Sequence, residues 1–61
     1  MYLYIFDQGG CIQSAMPPTS EDYKAIEDGT RIVIRFNGNL FRFQKLVLNK
    51  EGPNTFTWEE V

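Results

Sequence analysis

Few side chains in this 61-residue chain are equipped for chemistry, and they are scattered. There is no histidine, so a serine or cysteine nucleophile lacks its usual base, and no glycine-rich phosphate loop or metal-ligand spacing occurs. The one cysteine, Cys11, follows Gly9-Gly10. A thiol at a tight turn can be drawn as reactive, yet a lone cysteine opening a strand more often serves as a small hydrophobe, so Cys11 is expected to be buried or half-buried. Asp7, beside the same turn, is expected to accept from backbone donors. The other carboxylates, Glu21, Glu27 and Glu59 among them, show no convergent spacing for acid–base work. The expectation is a non-catalytic protein with no cofactor and no metal.

What remains is recognition. Arg31, Arg35 and Arg42 are interleaved with apolar residues, and Tyr2, Tyr4 and Phe6 alternate near the start of the chain. Arginine beside exposed rings holds phosphates and stacks bases in single-strand binders. Contiguous exposed rings also mark protein interfaces. The plainer reading is a solvated sheet face whose arginine stems cover apolar surface.

These residues have to be positioned by strands. Arg31 to Phe43, reading RIVIRFNGNLFRF, alternates on both sides of Asn37-Gly38, the strongest short hairpin signal because a type I′ turn needs φ > 0 at both central residues. A two-residue turn there sets Ile34 opposite Phe41 and Ile32 opposite Phe43, all on a core face. Arg31, Arg35 and Arg42 then lie on the outer face with Val33 and Leu40 between them. Further on, Leu46 and Leu48 carry the opposite parity to Phe41 and Phe43. Either a β-bulge near Gln44-Lys45 restores them to the core, or the strand is apolar on both faces and something covers its outer side.

Tyr2 to Phe6 alternates Leu3 and Ile5 against three rings, and after the turn residues Asp7 to Gly10 a second strand, Cys11 to Ser14, returns with Ile12 opposite Ile5. Pro17-Pro18 ends the sheet pattern. A short helix follows, with Thr19 as N-cap, Asp22 as its capping-box partner, Tyr23 and Ile26 as the apolar stripe and Gly29 as the left-handed terminator. Residues 49–54 read as a turn, and Thr55 to Trp58 as a last strand with Phe56 and Trp58 inward.

The expected fold is α+β, one small domain over residues 1–61, with an antiparallel sheet of about five strands in ββαβββ order, free to curl towards a small barrel, and one short helix packed on it. Its core should comprise Leu3, Ile5, Ile12, Tyr23, Ile26, Ile32, Ile34, Phe41, Phe43, Phe56 and Trp58. With one cysteine the chain has no internal disulfide to brace it. No secretory leader or membrane span is visible, and the expected compartment is the cytoplasm. A net charge of −2 offers no long-range attraction for a polyanion. The expected partner is therefore another protein or a second copy of the chain, bound through Tyr2, Tyr4, Phe6, Arg31, Arg35 and Arg42, with single-stranded nucleic acid as the alternative.

Overall fold

A computed structural model describes residues 2–49 and 55–61. Strands β1 (Leu3–Asp7) and β2 (Gly10–Ser14) precede helix α1 (Ser20–Asp28), and β3 (Ile32–Asn37), β4 (Arg42–Asn49) and β5 (Thr55–Glu60) follow. They form one antiparallel sheet in the order β2-β1-β3-β4-β5 that does not close into a barrel. The expected ββαβββ architecture is therefore present, with β1 beside β3. Of the turn expected over 49–54, all but Asn49 lies outside the described residues.

Local chemistry sets the first hairpin and the helix as anticipated. Ile5 stands opposite Ile12 and Phe6 opposite Cys11, and the Asp7 carboxylate accepts from the Gly9 N–H at 2.8 Å. Thr19 and Asp22 form a reciprocal capping box. Gly29 ends the helix at φ 78°, a left-handed conformation that costs glycine little, and donates to the Ile26 carbonyl. A nine-residue helix is marginal alone in water, and α1 is held by laying Tyr23 and Ile26 against the sheet.

The central hairpin differs from the expected register. Asn37 stands opposite Arg42, Phe36 opposite Phe43 and Arg35 opposite Gln44, so the connection is the four-residue loop from Gly38 to Phe41. Asn37 initiates it through its side chain, whose Oδ1 accepts from the Asn39 N–H at 3.0 Å and the Leu40 N–H at 3.4 Å. Phe41 closes it in the left-handed region at φ 56°. No bulge interrupts β4 near Gln44-Lys45, since pairing continues unbroken from Gln44 to Asn49 against β5.

This register decides which face is the core. Leu3, Ile5, Val33 and Leu46 are the buried apolar residues, with Tyr23, Ile26, Phe56 and Trp58 packed against them. Val33, expected outside, is fully buried, while Ile32 is 44% exposed, Phe43 51% and Phe41 84%; Ile34 is half-buried. The core assignment of Ile32, Ile34, Phe41 and Phe43 is corrected accordingly. The cause lies in β4, where Leu46 and Leu48 share a parity, and the one helix, lying over β3 and β4, can cover one face alone. Ile12 has the inward parity of Ile5 but sits on the edge strand beyond the helix and is 61% exposed.

Candidate functional site

The uncovered face of the sheet is built by period-two alternation in its three central strands. Tyr4 and Phe6 of β1 stand opposite Ile34 and Ile32 of β3, and Phe36 of β3 stands opposite Phe43 of β4. The rings touch in series. Tyr2 lies 5.7 Å from Tyr4, Tyr4 6.3 Å from Phe43, Phe43 5.1 Å from Phe36, and Phe36 5.5 Å from Phe41 in an edge-on contact. Such tilted and edge-to-face pairs at 4.5–7 Å are the favoured aromatic geometry. Tyr2 also donates its hydroxyl to Gln13 Oε1 at 2.7 Å, which ties the ladder to β2.

Beside the ladder lies an open concavity of about 760 Å³ lined by Tyr4, Phe6, Ile34, Arg42, Phe43, Glu60 and Val61. Val61 reaches it because its N–H donates to the Phe43 carbonyl at 3.3 Å, extending the β4–β5 pairing by one residue. Cys11, expected to be buried or half-buried, is exposed, because β2 is an edge strand and Cys11 stands opposite Phe6.

Two of the three arginines expected on this face are elsewhere. Arg35 points inward, where its Nε donates to Gln44 Oε1 at 2.8 Å and its guanidinium lies 4.3 Å over the Trp58 ring. Gln44 in turn donates to Glu60 Oε1 at 3.0 Å, so the buried amide is satisfied on both sides. Arg31 is committed to the helix. Its Nη1 donates to Asp22 Oδ1 at 2.8 Å, while its Nη2 lies 3.6 Å from Asp7 and 3.9 Å from Glu21. The shifted register and Val33's inward turn carry both arginines off the outer face. Arg42 has the parity of inward Gln44 in β4, is exposed at the strand's start, and lines the concavity.

Asp22 joins the capping box to that ion pair. Burial works against its charged form, yet the Thr19 backbone N–H, the Arg31 guanidinium and the Thr19 hydroxyl all donate to it. The balance holds its carboxyl below the ordinary carboxylate range. This cluster of Asp7, Glu21, Asp22 and Arg31 locks α1 onto the β1–β3 end of the sheet. Three carboxylates converge there, and the guanidinium among them engages all three.

Tyr2, Tyr4 and Phe6 therefore share their surface mainly with Ile32, Ile34, Phe36, Phe41 and Phe43 rather than with arginines. The signal for those five was already in the chain, in the opposed parities of Phe41-Phe43 and Leu46-Leu48. Among the described residues no helix is long and apolar enough to cross a membrane, and no group of three or more His, Cys, Asp or Glu side chains is placed to hold a metal ion. No protein-family model, no curated protein and no solved structure matches this chain.

Proposed function

We propose that this chain is a non-catalytic protein-binding domain of the cytoplasm, and that it binds through the outer face of its sheet. The observation that carries this reading is the ring ladder from Tyr2 through Tyr4, Phe43 and Phe36 to Phe41, which no element among the described residues covers. With aromatic side chains of about 200 Å² each, the exposed fractions of Tyr2, Phe6, Phe36, Phe41 and Phe43 leave roughly 500 Å² of ring surface. That alone reaches the largest apolar patch of a typical monomer, ~300–600 Å². The exposed, unpaired thiol of Cys11 suits a reducing compartment.

Charge favours a protein over a nucleic acid. Arg31 and Arg35 are engaged with Asp22 and with Gln44 and Trp58, and on the outer face Lys45 is matched across the strands by Glu59. A single-strand binder needs a basic groove that tracks the backbone. Arg42 by itself is a small part of one.

A photoreactive residue tests the reading. Placed at Phe43 it should give a discrete protein adduct that is lost in Phe36→Ser, while the same group at Lys24 on the helix gives none. Equal labelling from both positions, or an adduct removed by nuclease, would count against it.

A further inference from the structure

The outer face also indicates which protein occupies it. We propose, resting on the reading of that face as a protein-binding surface, that its occupant is a second copy of this chain, the two sheets packing face to face with the helices outside.

Four apolar residues, Leu3, Ile5, Val33 and Leu46, are buried among the described residues, and the single cysteine provides no internal disulfide. A single core in a chain of this size rarely supplies more than ~3–5 kcal/mol, which a staple or an association can raise. A partner on which folding depends has to be present whenever the chain is made. A second copy meets that condition.

Area gives the same answer. To the exposed rings the face adds parts of Ile32, Ile34, Tyr4 and Val61, which brings it towards the ~800 Å² per partner of a standard stable interface. Two sheets stacked about 10 Å apart would interdigitate these side chains as the halves of a β-sandwich do.

Charge completes it. A two-fold interface brings the same patch to itself, so it tolerates a face that carries both signs and resists a face of one sign. Here, on the face away from the helix, Lys45 of one strand stands opposite Glu59 of the next. The face is self-complementary.

Sedimentation equilibrium and isotope-filtered NMR on a mixture of labelled and unlabelled wild-type chains test this together. The expected result is a mass twice the 7.1 kDa of one chain, with interchain contacts from the rings of Tyr4, Phe6, Phe36 and Phe43. Phe43→Glu should reduce the mass to that of one chain or, if folding requires the second copy, abolish the folded state; the wild-type interchain contacts decide in either case. A single-chain mass at the millimolar concentrations of NMR overturns the proposal, as does a dimer whose interchain contacts arise from the edges of β2 or β5. If the chain is a monomer whose Phe43 position still crosslinks to a protein of another mass, self-association fails while the protein-binding reading stands. If it is a monomer with no such adduct, both fail.

Discussion

Phe36 stands directly across the sheet from Phe43, and their rings lie 5.1 Å apart on the face away from the helix. That pairing sets the length of the central loop and joins the rings of β1 to those of the loop. It also places Leu46 inward. Leu46→Ala should therefore cost ~2–5 kcal/mol, enough in so small a domain to remove most of its stability, whereas Ile12→Ala on the exposed edge should stay within about 0.5 kcal/mol. Urea midpoints of the two variants check this, and equal losses would show that the core has been drawn on the wrong face.

Acid should loosen the helix from the sheet. Asp22 is held below its ordinary range in the folded chain, so the unfolded chain binds the proton more readily. The stability this supplies is fully present above the unfolded value near ~3.9 and is lost as pH falls from there through the folded value. Asp22→Asn should flatten that part of the stability–pH curve. Parallel acid losses in wild type and variant would assign the effect to other carboxylates.

Gly29 offers a cleaner test of the helix end. An added Cβ meets nothing within 4 Å, so the cost of Gly29→Ala is that of a left-handed alanine at φ 78°, about 1–2 kcal/mol. Gly29→Asn should cost less, because asparagine visits that region more readily. Thermal unfolding of the pair gives the order.

The first hairpin, the capping box and the helix stop were legible because each rests on contacts a few residues apart. Asp22 as Arg31's partner was not, since nothing local joins a helix cap to the residue that precedes β3. The Asn37-Gly38 signal was real as a turn but misleading as a register, because the Asn37 side chain supports a longer loop as readily as a two-residue one. The face of β3 was ambiguous for a physical reason. Ile32, Ile34 and Phe36 form one apolar row and Val33 sits in the other, so alternation could not say which row the helix would cover. Leu46 and Leu48 held the answer, but it required knowing that β4 runs without a bulge.

Arginine substitutions separate structure from binding. Arg35→Ala removes the cation over Trp58 and a hydrogen bond to buried Gln44, and should destabilise the fold by ~1–3 kcal/mol with a change in the emission of the single tryptophan. Arg42→Ala removes neither contact and should leave the emission nearly unchanged, and any loss of stability should shrink as the protein is concentrated, as weaker association requires. If Arg35→Ala leaves unfolding unchanged, the inward placement of that side chain is wrong.

The most direct test of the outer face as a covered interface is the relaxation that a neutral soluble paramagnetic agent induces at the ring protons of Phe6, Phe36, Phe41 and Phe43. Weak enhancement is expected at high protein concentration, although these rings are exposed in a single chain, with a rise on dilution towards the enhancement of Ile12, which is exposed on the opposite face. Strong enhancement at all four rings at every concentration would contradict it.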